Sequence, residues 1–227
     1  GFMKIDILTL FPEMFTGFLN TSIIKRALEK GLIEINLINF RTFSPLNNQQ
    51  VDDTPYGGGA GMLLRCEPIF ECLDHIDKTD AYIVLLSPEG TTYNQNVAKR
   101  MAKNVKHLIL ICGHYEGFDE RIKTLVDEVI SIGDYVLTGG EIPAMAITDS
   151  ITRLIPGVIK NDSWEEDSFN NSLLDYPNYT KPAVYRGLAV PEVLLSGHHE
   201  KIKKYRQSEQ IKKTKELRPD LMEQDHE

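Results

Sequence analysis

The stretch AYIVLLSPEGTTYNQNVAKRMAKNVKHLILICG, residues 81–113, decides how this chain is read. It opens and closes on short, nearly continuous apolar runs, AYIVLLS and HLILIC, as expected of strands covered on both faces. Between them NQNVAKRMAKN spaces its apolar residues as one helical face does. A strand, a helix and a second strand in that order make a parallel crossover unit. The pattern extends outward in both directions. KIDILTL (4–10) and LIEINLINF (32–40) read as strands, and TSIIKRALEKG (21–31) as a helix with a hydroxyl start and a glycine stop. On the far side, DERIKTLVDE (119–128) reads as a helix and EVISIG (128–133) as a strand. EIPAMAITDSITRLIP (141–156) reads as a helix with Pro143 in its first turn and Pro156 closing it. The prediction is an α/β domain with a mostly parallel sheet over about residues 3–158.

The chain has 227 residues, 41% of them hydrophobic, enough for one or two domains with a real core. It holds no apolar run of about 18 residues, so no membrane partner is expected. The start is too mixed for a secretory signal, and Met3 reads as the natural first residue after two residues left from cloning. Cys66, Cys72 and Cys112 have no paired short spacing. They read as buried thiols in a reducing compartment, which points to the cytoplasm.

After residue 158 the composition changes. KNDSWEEDSFNNSLLDYPNYTKP (160–182) is rich in Asn, Asp and Ser and reads as a linker, and VPEVLLSGHHEKIKKYRQSEQIKKTKEL (190–217) as helical. The net charge of −8 argues against a nucleic-acid partner, but its distribution argues the other way. From His198 to Arg218 eight Lys/Arg stand against three Glu, a net of +5, which leaves −13 for the remainder. Such a run is either a solvated helix face or a phosphate-contacting surface.

In an open parallel sheet, ligands bind beyond the carboxyl ends of the strands. Three segments leave such ends: LLSPEG (85–90), CGHYEG (112–117) and SIGDYVLTGG (131–140). Each carries glycine, which lets main-chain groups approach a ligand closely. Converging, they make a pocket lined by backbone; any one alone is an ordinary turn. The dinucleotide fingerprint, the phosphate-binding P-loop and the common zinc spacings are all missing. The glycine-rich DDTPYGGGAGM (52–62) lacks the strand-to-helix setting that favours phosphate.

LFPEMF, VDDTPYGGGAGM, LLSPEG, CGHYEGFDER, SIGDYVLTGGE, DSITRLIPGV and EEDSF…LLDYPNYTKP follow one another along nearly the whole chain. In that order they resemble the bacterial tRNA (guanine-N1)-methyltransferases of the SPOUT class, though the end after Glu216 is shorter than is usual there. The resemblance implies a knotted α/β domain over residues 1–160, a flexible linker over 161–171 and a small helical tRNA-binding domain over 172–227. The knot is a deep C-terminal trefoil, a feature nearly absent from proteins and invisible to periodicity. It implies methylation by S-adenosyl-L-methionine of N1 of the guanosine at tRNA position 37, just 3′ of the anticodon. It also suggests Mg²⁺ dependence without a dedicated protein cage, and a homodimer whose active site is shared between chains.

By matching motif, cofactor contacts fall on Leu86, Ser87, Pro88, Gly90, Gly113, Tyr115, Glu116, Ile132, Gly133, Tyr135, Leu137, Gly139, Gly140 and Pro143. Asp167 matches the proposed base and Arg153 the residue proposed to stabilise O6. Asp52, Asp175, Lys203, Lys204, Lys212 and Lys213 are the candidates for substrate contact. The chemistry suits these types. Guanine N1 carries a proton it must lose before attacking a methyl group, and charge then builds on O6. Plainer roles stand beside these. Asp167 sits in an acidic segment where a solvated carboxylate is ordinary, and Arg153 follows Asp149 by four residues, the spacing of a helical ion pair. His114 stands where some relatives carry Arg, which leaves its contact with RNA open. A base in a linker predicts that Ser163–Asn171 orders when cofactor and tRNA bind, with Trp164 as reporter. The competing readings are another SPOUT RNA methyltransferase, a catalytically silent RNA-binding factor on the same scaffold, and an α/β enzyme of another nucleotide.

Overall fold

A computed structural model describes residues 2–160 and 172–223. Asp167, Trp164 and the 161–171 segment, with the predicted ordering of Ser163–Asn171, lie outside the described residues. The chain divides into two compact units, residues 1–160 and 161–227.

The first unit is built on a five-stranded sheet. Its strands are β1 (Met3–Thr9), β2 (Ile33–Asn39), β5 (Ala81–Thr92), β6 (His107–Cys112) and β7 (Glu128–Ser131), in the order β2-β1-β6-β5-β7. All four pairings are parallel. Two short strands, β3 (Asp52–Asp53) and β4 (Leu63–Leu64), make a separate antiparallel hairpin around the glycine-rich segment. The helices are α1 (Thr16–Leu19), α2 (Ser22–Glu29), α3 (Glu67–His75), α4 (Gln95–Asn104) and α5 (Glu141–Thr152).

Alternation along the strands makes two cores. Met3, Ile5 and Ile7 of β1, Leu108 and Leu110 of β6, and Val84 of β5 pack with Ala98 and Met101 of α4 and Ala144, Ile147 and Ile151 of α5. Leu8, Ile109, Ile111 and Leu85 face the other way, onto Ile69, Cys72 and Leu73 of α3. Successive side chains point to opposite faces, so a strand covered on both sides must be apolar throughout. All six residues of β6 are buried. The three cysteines are free and buried. Among the described residues no helix is long and apolar enough to cross a membrane.

Residues 190–198 of the second unit, read as helical, hold only a 3-10 turn, Glu192–Leu195, ahead of a helix that begins at His199. Three segments of the first unit also differ from their sequence reading. DERIKTLVDE forms only a 3-10 turn, Glu120–Leu125. Asp127 exchanges bonds with Ile83 of β5, its N–H donating to Ile83 O (2.8 Å) and its Oδ2 accepting from Ile83 N (2.8 Å). That clamp draws the chain into the sheet before an α-helix can propagate. LLSPEG is not a free loop but lies within β5. Ile130 pairs with both Leu86 and Thr91, so residues 87–90 bulge out of the ladder. The last helix of the unit ends at Thr152, short of Pro156. Leu154 and Ile155 donate to Ile151 O and Thr152 O, tightening the turn ahead of the proline.

The second unit holds a two-stranded hairpin, β8 (Val184–Tyr185) with β9 (Leu188–Ala189), then α6 (His199–Leu217) and α7 (Pro219–Glu223). Part of the segment read as linker is docked here. Leu174 is buried and its N–H donates to Thr214 Oγ1 of α6 at 2.9 Å. Tyr176 lies under the Arg206 guanidinium at 4.7 Å.

Candidate functional site

The bulge of β5, the loop after β6 and the loop after β7 surround a cavity of about 490 Å³. Small-molecule sites span about 300–1,000 Å³. Leu86, Ser87 and Pro88 come from the first segment, Gly113, Tyr115 and Glu116 from the second, and Ile132, Gly133, Tyr135, Leu137, Gly139 and Gly140 from the third. Pro143, in the first turn of α5, completes the wall. Thirteen of the fourteen residues assigned to the cofactor thus line one cavity. Leu63, Glu89, His114, Phe118, Glu120, Ile130 and Val136 line it too, and sequence reasoning did not name them for this role. Glu89, Phe118 and Glu120 sit in or beside the quoted motifs. Nothing in their type set them apart.

Gly90 is the exception. It does not line the cavity; its bare α-carbon lies against β7. A side-chain carbon there would stand 2.5 Å from Ile130 N, Val129 C and Val129 O, all of them backbone atoms that cannot rotate away. Gly90 therefore sets the bulge that carries Ser87 and Pro88. Gly90→Ala is expected to destabilise the fold by about 1–3 kcal/mol, the usual range for overpacking. Urea unfolding of the variant beside the wild type measures it.

Gly140 meets the same kind of limit from the third loop. An added carbon would lie 2.8 Å from Cys112 Cα and 3.0 Å from Gly113 N. Its own N–H donates to Gly113 O at 2.8 Å, and His114 bridges Gly139. The second and third loops are thus stitched together by backbone. Below them Glu141, only 3% exposed, accepts from Thr9 Oγ1 at 2.8 Å. Burial pushes the Cys112 thiol well up, and the Glu141 carboxylate beside it adds to the effect.

The glycine-rich hairpin reaches the same neighbourhood. Glu116 N donates to Met62 O, Leu64 N donates to Gly117 O, and Asp119 N donates to Leu64 O. The Glu116 carboxylate lies where a side chain on Gly61 would be. It is an exposed acid on the cavity wall, placed to attract a cationic group. At the lip, Lys123 pairs with both Glu89 (2.9 Å) and Glu120 (2.8 Å), an exposed bridge of small energy.

A model of the family tRNA (Guanine-1)-methyltransferase TrmD matches residues 3–224. The chain belongs to that family. It is 58% identical to the tRNA (guanine-N(1)-)-methyltransferase of Malacoplasma penetrans over 96% of each chain. It is 56% identical to that of Acholeplasma laidlawii, over 97% of this chain and 90% of the relative. The enzyme of Anoxybacillus flavithermus is 54% identical, over 97% of this chain and 92% of its own.

The other family-matched residues are not gathered at the cavity. Arg153 is the residue that closes α5, whereas Gly140 and Pro143 at its opposite end line the cavity. Twelve helical residues separate the two ends by roughly 18 Å. Asp52 lies half-buried in β3. Asp175, in the second unit, accepts from Asn178 Nδ2 at 3.2 Å. Lys203, Lys204 and Lys212 are exposed on α6, while Lys213 is half-buried on the side that carries Thr214. Among the described residues no group of three or more His, Cys, Asp and Glu side chains is placed to hold a metal ion.

Proposed function

We propose that this chain methylates N1 of the guanosine at tRNA position 37, using S-adenosyl-L-methionine. The observation that carries the reading is the convergence of three glycine-bearing segments on one cavity, in a chain of this family. The cavity has the size for an adenosine-bearing ligand, apolar walls in Leu86, Ile132 and Leu137, and a carboxylate in Glu116 for a cationic end. When bound, the cofactor supplies an electrophilic methyl group on a positively charged sulfur. The chain's own residues do the rest. Main-chain groups of the three loops hold the adenosine and exclude water. Asp167 takes the proton from guanine N1. Arg153 balances the charge that develops on O6. Methyl transfer to a tRNA transcript with guanosine at position 37, and to one with adenosine there, tests the reading. Equal methylation of both would overturn it.

The site belongs to a homodimer in this proposal. Within one chain, Arg153 and the cavity lie at opposite ends of α5, so the Arg153 that meets O6 comes from a second copy. Ile142, half exposed, and Ala146, one helical turn further on, give α5 an apolar outer face for that contact. The trefoil knot of the SPOUT class is part of the same reading. Its support is the close passage of Gly139–Gly140 beside Cys112 and Gly113.

The helical unit is the tRNA-binding surface in this reading. At 100° per residue, Lys201, Lys204, Lys212 and Lys215 fall on one strip of α6, all exposed, with Lys203 and Lys213 off it. Neutralising those four is expected to weaken tRNA binding and reduce the salt slope by up to about 3 units, at roughly 0.7–0.9 per phosphate contact. Neutralising only Lys203 and Lys213 should flatten it less. Binding titrations across a salt series measure both; an unchanged slope returns the strip to a solvated face. Mg²⁺, if required, acts with the RNA or with a few carboxylates.

A further inference from the structure

Of the two buried acids among the described residues, Asp6 pairs with His107, and Glu141 is left without a role by the family's reaction. Glu141 is the first residue of α5, and its carboxylate sits beneath the cavity floor. A helix N-terminus favours negative charge, yet a carboxylate taken out of water needs hydrogen-bond donors as well. One is Thr9 Oγ1, at 2.8 Å from Oε2. The other oxygen points elsewhere. The position a side-chain carbon would take on Gly139 lies 2.5 Å from Glu141 Oε1 and 2.9 Å from His114 Nδ1. The carboxylate and the imidazole therefore both lie against the bare face of one glycine. His114 Nδ1 is itself buried and has no hydrogen-bond partner, an exception that calls for an account.

We infer that Glu141 is a positioning residue that holds a proton on His114 Nδ1, fixing the tautomer and the ring of a histidine on the cavity wall. The inference rests on the methyl-donor reading only for its effect on ligand binding. The surroundings of His114 are otherwise fully used. Its ring packs on Phe11 at 5.0 Å and meets Tyr115 edge-on at 4.9 Å. Phe11 N in turn donates to the same Thr9 hydroxyl, at 2.9 Å, that donates to Glu141. Contacts thus run from Glu141 through Thr9 and Phe11 to His114, linking α5, the end of β1 and the loop after β6. The titratable groups around it are Glu141, the Tyr115 phenol and the Cys112 thiol behind Glu141. Of these Glu141 is the carboxylic acid, and its Oε1 lies 2.5 Å from the same Gly139 position that His114 Nδ1 meets at 2.9 Å. A proton on Nδ1 leaves the other ring nitrogen an acceptor. It also gives the buried carboxylate a donor beside Thr9 Oγ1 and the Cys112 thiol.

The test is nitrogen NMR of histidine-labelled full-length protein, free of ligand, with calorimetric titration of S-adenosyl-L-methionine beside it. Neutral His114 is expected to carry its proton on Nδ1. In Glu141→Gln, whose amide oxygen is a weaker acceptor than a carboxylate, the share of neutral His114 protonated on Nδ1 is expected to fall severalfold. The Kd for the donor should rise about tenfold in the calorimetric titration, while kcat in the tRNA methylation assay stays within about twofold, the signature of lost ground-state positioning. A neutral His114 protonated on Nε2 in the wild type overturns the inference without any variant, so a poorly folding Glu141→Gln does not shelter it. An unchanged tautomer ratio in a folded variant overturns it too. A wild type that binds no donor overturns the methyl-donor reading instead, and leaves the tautomer result standing.

Discussion

Arg153→Ala is expected to lower methyl transfer about 10²- to 10³-fold, by analogy with the loss of a donor from an oxyanion site. Charge on O6 exists only as N1 attacks, so the interaction belongs to the transition state. The loss should therefore appear in kcat, with the KM for tRNA little changed. Lysine at the position should recover only part of the rate, since an ammonium keeps the charge but not the planar fork. Single-turnover methylation of a tRNA transcript reads all of this. The location of Arg153 adds a stricter form of the prediction. It closes α5 at the end opposite the cavity-lining turn, so in the proposed dimer its target is the cavity of a partner chain. Arg153→Ala mixed with a cavity-filling variant such as Leu137→Trp should then regain activity. Random pairing of two dead chains leaves about a quarter of the wild-type sites complete. No regain on mixing would confine Arg153 to its own chain and remove it from the O6 role.

Asp167→Ala is expected to reduce turnover by about 10²-fold or more, within the range of a general base. The need for a base is set by the nucleophile, because N1 of guanine is protonated at neutral pH and has no lone pair to offer. That dependence supplies a diagnostic. Raising the pH removes the N1 proton without help, so the deficit of Asp167→Ala should shrink as the medium becomes alkaline. Asp167→Asn, which keeps the shape and loses the basicity, should be as impaired as the alanine variant. Near-normal methylation by either protein at neutral pH would remove Asp167 from the mechanism.

The inner strands of the main sheet were legible because burial on two faces demands it, whereas the short hairpin strands β3, β4, β8 and β9 were not. HLILIC can only be an inner strand, and β6 is buried at every position. The crossover pattern of 81–113 followed from period alone. Other segments misled for identifiable reasons. DERIKTLVDE has helical spacing, but the pair of bonds between Asp127 and Ile83 outweighs that local preference. Helix α3 went unnamed because CEPIFECLDH mixes proline and cysteine with its apolar residues, and two turns of helix are too short to show a clear stripe. The end of the linker-like segment carries Leu174, whose burial against α6 depends on a hydroxyl forty residues away. The glycines of the cavity were visible as residues, but not their division of labour. Gly140 lines the cavity and packs on Cys112 and Gly113, while Gly90 lies outside the wall against β7.

By itself the amino-acid order determined the alternation of strands and helices, the location of the basic run, and the motifs that mark the family. Those are properties of neighbours along the chain, set by period, charge and local sterics. Only the tertiary structure decided that three distant bends share one cavity, that Arg153 stands a helix length from it, and that Glu141 meets Thr9 across 132 residues. Each of those depends on which backbone passes beside which. Close packing settles that through contacts of a few ångströms between segments far apart in sequence, and no local pattern records them.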